Sequence, residues 1–219
     1  MINTLATLVI TLASPSAYAN TDANGHACQL EGTPLVNISC VDPTIKVDMR
    51  YATTNNFTGE QLTGYNANVC YLTEKATNAL RNANQQLRRH SLGIKVFDCY
   101  RPTSASDDMI AWANRTGHED YLGVYIGSRS EHNKGTTVDA GIIDTLTGKE
   151  LDLGKYDEFS EMADVISGKD DKQKGMRTNF RKLMIKNGFV GYSKEWWHFT
   201  EKDGYNNKAN YPRYNVSIN

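Results

Sequence analysis

The stretch SEHNKGTTVDAGII, residues 130–143, changes character at its glycine. Polar residues precede Gly135, and the β-branched residues 136–138 and an apolar run follow it. Glycine and successive β-branched residues disfavour a continuous helix, and β-branched residues favour strands. We therefore predict a turn at residues 134–135 that leads into a strand over residues 138–143.

Two side chains that can bind a metal lie on either side of this turn. His132 and Asp139 are seven positions apart, which on a helix would separate them by about 10.5 Å along the axis. A turn would instead fold His132 back beside Asp139. Imidazole nitrogen and carboxylate oxygen both suit zinc, and a hydrolytic zinc site also needs a third protein ligand, a position for water and a base.

A second stretch, EWWH at residues 195–198, supplies the missing groups. His198 is the best candidate for the third ligand, and Glu195 would accept a proton from the water. Since an ideal strand would place residues three positions apart on opposite faces, we predict a bulge or turn at residues 196–197. Alone, these tryptophans would be typical of a core and Asp139 of a turn or cap. Together, the two stretches favour a zinc site.

Hydrophobic periodicity outlines the rest of the fold. The mixture of helices and strands has no regular βαβ alternation, so we predict an α+β fold with a mostly antiparallel central sheet, flanked by helices, and the zinc site on the sheet. Further strands are predicted at residues 45–51 and 94–99, helices at 73–90, 104–114 and around 176–184, and a terminal hairpin at 189–192 and 197–200.

Length and charge restrict the class of partner. The chain has 219 residues and a formal net charge of −1, so one catalytic domain is expected, over residues 45–219. Nothing in this balance attracts nucleic acid or an anionic membrane, and no membrane-spanning stretch is evident. A small molecule is the expected partner. The sequence does not indicate an oligomeric state.

The N-terminus has the character of an export signal. A short apolar run at residues 5–13 is followed by Ala17-Tyr18-Ala19, which resembles a signal-peptidase site. We therefore predict a signal peptide over residues 1–19 and a periplasmic or secreted protein. Because the first residues carry no Lys or Arg, a buried N-terminal strand or helix remains the alternative.

Cysteine usage also favours export. Four cysteines permit three complete pairings and form no CxxC motif. We favour Cys28–Cys40, which would staple an irregular arm over residues 20–44, and Cys70–Cys99, which would join two core segments. Four reduced, buried thiols are the alternative.

With these residues identified, the chain resembles the VanX-like D-alanyl-D-alanine dipeptidases of the zinc D,D-peptidase family. The family pattern SxHxxGxAxD corresponds to residues 130–139, with Thr137 where alanine is usual, and EWWH is intact. Two further matches are YAT with NFTG, within residues 51–59, and DCYRP at residues 98–102. The resemblance extends from about residue 45 to about residue 200.

The resemblance implies one zinc ion per chain, bound by His132, Asp139 and His198, with Glu195 as the catalytic base. It also implies that Arg101 stabilises the transition state, a suitable role for a guanidinium beside a developing oxyanion. The alternative for this arginine is a salt bridge to Asp98 or a place at a sheet edge. The implied fold is that of hedgehog-like proteins and D,D-peptidases.

The resemblance further implies a pocket for a small D,D-dipeptide. Ser130 and Tyr51 match residues that line such a pocket, and Asp157 matches the residue that receives the substrate ammonium group. A solvated loop carboxylate is the alternative for Asp157. The implied reaction is hydrolysis of D-alanyl-D-alanine to two molecules of D-alanine in peptidoglycan metabolism.

Two other functions remain open. One is a D,D- or L,D-carboxypeptidase that trims peptidoglycan stem peptides. The other is a non-catalytic, zinc-stabilised binding module, against which the presence of Glu195 and Arg101 argues. If the protein is exported, cell-wall recycling is favoured over antibiotic resistance, which requires depletion of a cytoplasmic dipeptide pool.

Overall fold

The computed structural model describes residues 20–219. The predicted signal peptide, residues 1–19, lies outside the described residues, as does its alternative. Within residues 20–219, no helix is both long and apolar enough to cross a membrane.

A five-stranded sheet forms the centre of the fold, in the order β2-β4-β5-β7-β6. Only β2 and β4 run parallel, and the other three pairings are antiparallel. The predicted α+β class and mostly antiparallel sheet are therefore confirmed. The strands are β2 (Lys46–Val47), β4 (Leu92–Asp98), β5 (Thr137–Asp144), β6 (Phe189–Gly191) and β7 (His198–Glu201).

The helices pack around this sheet, and a second, two-stranded sheet pairs β1 (Val36–Asn37) with β3 (Tyr71–Leu72). The predicted long helices are confirmed with shifts of a few residues at their ends. They are α2 (Glu74–Arg88), α3 (Thr103–Thr116) and α4 (Asp171–Lys186). Two short helices that the sequence analysis did not predict are α1 (Ile38–Val41) and α5 (Lys202–Asn206).

Local sequence explains where these helices begin and end. The Thr73 side chain accepts a hydrogen bond from the Ala76 amide and so caps the first turn of α2. At the end of α4, Gly188 has a φ of +97°, a conformation that glycine adopts without a steric penalty.

The predicted strand over residues 45–51 is wrong beyond Val47. There the chain leaves the ladder and forms a 3-10 helix, Arg50–Ala52. The Met49 amide donates instead to the Asn68 side chain, at 2.7 Å. The alternating pattern reflects a buried Tyr51 that packs on other aromatic rings rather than a continued strand.

Two hydrophobic clusters fill the interior. The first packs α2 and α4 against the central sheet, and the second joins the N-terminal arm, α3 and the C-terminal residues. Tyr156 of the first cluster contacts Tyr51 of the second, with ring centroids 6.5 Å apart. The predicted site residues lie where the two clusters meet.

Both predicted disulfides, Cys28–Cys40 and Cys70–Cys99, are present. The arm packs closely on the catalytic segment, because Leu35 is fully buried against Gly135. A Cβ at Gly135 would lie 2.5 Å from a Leu35 methyl carbon. The division into an arm, residues 20–44, and a domain, residues 45–219, stays a prediction.

Candidate metal centre and substrate cavity

The predicted turn before β5 is confirmed. Ser130 caps a 3-10 helix, Glu131–Lys134, by accepting a hydrogen bond from the His132 amide at 3.3 Å. Gly135 then adopts a φ of +68°, which a residue with a side chain rarely does. This reversal folds His132 back beside Asp139 on β5.

The predicted irregularity at Trp196 and Trp197 is also confirmed. Both residues lie in a turn, closed by a 3.3 Å hydrogen bond from the His198 amide to the Glu195 carbonyl. His198 begins β7 and is paired in register with Asp139 on the neighbouring strand. As a result Glu195 and His198 face the same side, with Glu195 Oε2 3.2 Å from His198 Nδ1.

Three potential ligand atoms form a nearly equilateral triangle. Asp139 Oδ1 lies 3.3 Å from His132 Nε2 and 3.1 Å from His198 Nδ1, and the two nitrogens are 3.4 Å apart. Ligand atoms about 2.0–2.1 Å from a tetrahedral zinc ion are separated by about 3.3–3.4 Å. The spacing therefore fits zinc.

The hydrogen bonds around these atoms support the same conclusion. Asp139 Oδ1 is buried, and within residues 20–219 it has no hydrogen-bond partner, although the rings of His132 and His198 lie close to it. Its other oxygen accepts a hydrogen bond from the Tyr156 hydroxyl at 3.1 Å, and His132 Nδ1 donates to the Cys99 carbonyl at 2.7 Å. Such outer contacts orient metal ligands and select the tautomer of a histidine.

The electrostatics of the cluster favour a cation. Burial opposes protonation of His198, but the carboxylates of Asp139 and Glu195 outweigh it and raise the pKa of His198 to about 10. Burial disfavours the charged form of Glu195 and so raises the pKa of this carboxyl. A divalent ion satisfies this demand for positive charge while leaving the imidazole neutral.

Arg101 forms a salt bridge with Asp98 and also lines the cavity. Its Nε and Nη2 donate to Asp98 Oδ2 at 3.0 and 2.7 Å, so the salt bridge exists and both residues are buried. The guanidinium also lies over the Tyr51 ring, 5.1 Å from its centroid, and Arg101 lines the same cavity as the three candidate metal ligands. The salt bridge therefore holds the guanidinium beside the site.

Asp157 is turned inward rather than solvated. The Tyr51 hydroxyl donates to its Oδ1 at 2.9 Å, while Oδ2 is buried and has no hydrogen-bond partner in the described part of the chain. Burial raises the pKa of Asp157 to about 8. Its φ of +62° is unusual for a residue other than glycine and is the kind of backbone strain found at functional sites.

One small cavity collects every predicted site residue. Apolar side chains complete its wall, among them Phe57, Met109, Phe159 and Trp197. A cavity of this kind suits a small ligand held by a few polar groups. The predicted residues that line it are Tyr51, Arg101, Ser130, His132, Asp139, Asp157, Glu195 and His198.

Sequence reasoning missed two supporting residues. Tyr156, the residue before Asp157, donates from its hydroxyl to the candidate ligand Asp139, 17 positions away in the chain. Arg177 of α4 donates, at 2.5–2.9 Å, to backbone carbonyls of the loop that carries Tyr156 and Asp157. The sequence did contain a signal for Arg177. It lies three positions before Phe180, on the same apolar helix face, which predicts a buried arginine.

Comparisons with known proteins place the chain among peptidases. The Peptidase_M15 family, described as D-ala-D-ala dipeptidase, matches residues 31–217. A D-alanyl-D-alanine dipeptidase of Enterococcus faecalis is 30% identical over 171 residues, 71% of this chain and 85% of that protein. One from Streptomyces coelicolor is 31% identical over 178 residues, covering 73% and 87%. One from Escherichia coli is 30% identical over 170 residues, covering 76% and 84%.

Proposed function

The chain belongs to the Peptidase_M15 family of D-Ala-D-Ala dipeptidases, and from this premise we propose that it hydrolyses D-alanyl-D-alanine to two molecules of D-alanine. The observation that carries the proposal is the convergence of His132, Asp139 and His198 beside Glu195 in one cavity. Three ligands and an adjacent carboxylate are the protein groups that a hydrolytic zinc site requires.

The three ligands would hold one zinc ion. Bound there, zinc supplies Lewis-acid chemistry, which polarises a carbonyl and makes water more acidic. Glu195 Oε2 lies 3.2 Å from His198 Nδ1, close enough to take a proton from the attacking water. Burial raises the pKa of this carboxyl, so the protonated form can then deliver the proton to the leaving amine.

Arg101 is proposed to stabilise the negative charge that develops on the carbonyl oxygen. Nε and Nη2 donate to Asp98, and the only hydrogen-bond acceptor of Nη1 among the described residues is Met109 Sδ, at 3.3 Å. A thioether is a weak acceptor. An oxyanion in the cavity would be a much stronger partner for this side of the guanidinium.

Asp157 is proposed to bind the ammonium group of the dipeptide. An ammonium group would satisfy its unpartnered Oδ2 and balance its buried charge, which would otherwise be costly. Ser130 and Tyr51 line the same cavity and are proposed to contact substrate. A site with this requirement favours a free dipeptide over an N-acylated chain.

We expect Asp157→Asn to raise KM for D-Ala-D-Ala by about 10- to 100-fold, the value of a charged hydrogen bond, with a smaller change in kcat. Asparagine has the same size and can still accept from Tyr51, but it carries no charge. In the wild type, KM should fall as the pH rises towards about 8, because ionisation of Asp157 is needed to bind a cation. Initial rates measured at several pH values test both effects.

N-acetyl-D-Ala-D-Ala is the matched control for this prediction, since it lacks the ammonium group. The wild type should discriminate strongly against it, and Asp157→Asn should discriminate much less. Equal discrimination by both proteins would exclude an ammonium-binding role for Asp157.

The proposed activity is tested by supplying the purified protein with zinc and D-Ala-D-Ala, with and without a chelator, and measuring the D-alanine released. We expect turnover that the chelator abolishes and zinc restores. Faster release from an N-acylated tripeptide than from the dipeptide would instead indicate a carboxypeptidase. No turnover of either substrate by zinc-loaded protein would indicate a binding module.

We further propose that the protein acts in the periplasm or outside the cell, on dipeptides released from peptidoglycan. Two disulfides support this location, because disulfides persist in oxidising compartments. Mass spectrometry of the N-terminus of the protein from its native host would test cleavage after Ala19.

A further inference from the structure

The end of β4 forms one side of the metal centre. Asp98 is the last residue of β4, the register of its ladder with β5 shifts between Val96 and Asp98, and the chain then leaves the sheet. Immediately after it, the Cys99 carbonyl accepts the 2.7 Å hydrogen bond from His132 Nδ1. The backbone that orients a metal ligand therefore lies beyond the support of the strand ladder.

The Cys70–Cys99 disulfide supplies a covalent anchor at this position. Cys70 precedes β3, which belongs to the separate two-stranded sheet. Besides the bridge, the Tyr100 amide donates to the Tyr71 carbonyl at 2.9 Å, and the Cys99 amide donates to the Asp98 side chain at 2.9 Å. The bridge thus connects the orienting carbonyl to the segment that leads into the two-stranded sheet.

From this arrangement we propose that the Cys70–Cys99 disulfide is a positioning element of the metal centre. It holds the Cys99 carbonyl where it accepts from His132 Nδ1, which leaves Nε2 unprotonated and directed at Asp139. The inference rests on the proposed zinc site and adds a function to a bridge that would otherwise only stabilise the fold. Both cysteines are fully buried, so the bridge is a permanent brace and not an accessible redox switch.

A competing acceptor makes the position of the carbonyl important. Asp98 Oδ2 lies 3.3 Å from His132 Nδ1, but it already accepts two hydrogen bonds from Arg101. If the Cys99 carbonyl moved away, His132 would turn towards Asp98 and compete with Arg101 for this oxygen. The metal ligand and the proposed oxyanion partner would then be disturbed together.

The second disulfide provides a matched control. Cys28–Cys40 also closes a loop, but it lies in the N-terminal arm, and neither of its residues lines the cavity. Its removal changes the number of cross-links by the same amount without touching the Cys99 carbonyl. Removal of either disulfide should therefore lower the general stability, whereas only removal of Cys70–Cys99 should displace the Cys99 carbonyl.

The test compares Cys70→Ala/Cys99→Ala with Cys28→Ala/Cys40→Ala and the wild type. Zinc affinity is measured by competition with a chromophoric chelator at a temperature below the Tm of each protein. We expect the Cys70→Ala/Cys99→Ala variant to bind zinc about 10- to 100-fold more weakly, as for other lost contacts to metal-binding histidines, and the arm variant to match the wild type. Equal affinity in all three proteins, or equal losses in both variants, would overturn the proposal.

A second variant, Cys70→Val/Cys99→Ala, fills part of the vacated volume and serves if the alanine pair does not fold. Nitrogen NMR of the histidine rings in each zinc-loaded protein adds a structural measurement. The wild type should show a hydrogen-bonded Nδ1–H on His132, and the variants without the bridge should show faster exchange of this proton. Unchanged exchange would contradict positioning by the bridge. Failure of the wild type itself to bind zinc would refute the proposed function. This result differs from unchanged zinc affinity or unchanged proton exchange in the variants, which would refute only the positioning role of the bridge.

Discussion

Glu195→Gln should lower kcat for D-Ala-D-Ala by about 10²- to 10⁴-fold, the usual contribution of a general base, while the protein retains one zinc ion. Glutamine has nearly the same size and can still accept a hydrogen bond, so the packing around this buried residue is preserved. It cannot take a proton from water. Stopped-assay rates together with the zinc content of the same samples test this expectation.

Glu195→Ala should lose turnover to a similar extent and also keep zinc, because the three ligand side chains remain. Glu201→Gln is a suitable control, since Glu201 is a buried carboxylate on β7 that does not line the cavity. It accepts hydrogen bonds from the Asp203 and Gly204 amides at the start of α5. Its substitution should lower Tm and leave kcat unchanged. Wild-type kcat in zinc-loaded Glu195→Gln would rule out the proposed base.

Arg101→Lys should lower kcat/KM by about 10²- to 10³-fold, an effect typical of losing an oxyanion donor. Lysine keeps the positive charge beside Asp98, but its three donors share one compact nitrogen, which cannot span Asp98 and the cavity as the planar guanidinium does. The loss should fall mainly on kcat, because the oxyanion exists only in the transition state. Steady-state kinetics of zinc-loaded protein separate the two parameters.

Arg101→Ala should in addition destabilise the fold by about 3–5 kcal/mol, because it leaves the Asp98 carboxylate buried without its cation. Asp98 would keep hydrogen bonds from the Tyr65 hydroxyl and the Cys99 amide, which moderate this cost. Urea denaturation of both variants distinguishes the structural role from the catalytic one. If the lysine variant turned over D-Ala-D-Ala at the wild-type rate, Arg101 would be only a partner of Asp98.

Local chemistry made the two ligand-bearing stretches predictable. Gly135 can adopt the left-handed conformation that a tight turn needs, and the β-branched residues after it favour a strand, so the turn that returns His132 to Asp139 follows from the sequence. The spacing of Glu195 and His198 required an irregular backbone at the two tryptophans, and the structure has one. The helix at residues 74–88 likewise follows from periodicity and from its end residues, and periodicity predicted the later helix around residues 176–184, which the structure extends to 171–186.

Predictions failed or were incomplete where distant residues compete for the same groups. The strand pattern over residues 45–51 was overridden after Val47, because an asparagine 19 positions beyond Met49 bonds to its amide. The contact of Tyr156 with Asp139 and the carbonyl contacts of Arg177 join segments that no local pattern connects. Such contacts are formed only when the chain packs.

The sequence by itself therefore determined the kinds of candidate ligand, their order along the chain and the turns that present them, since these depend on backbone preferences over a few residues and on side-chain chemistry. Tertiary structure alone decided which atoms face one another: the triangle at Asp139, the inward carboxylate of Asp157 and the Cys99 carbonyl that orients His132. The physical reason is that each of these distances depends on the packing of several segments far apart in the chain.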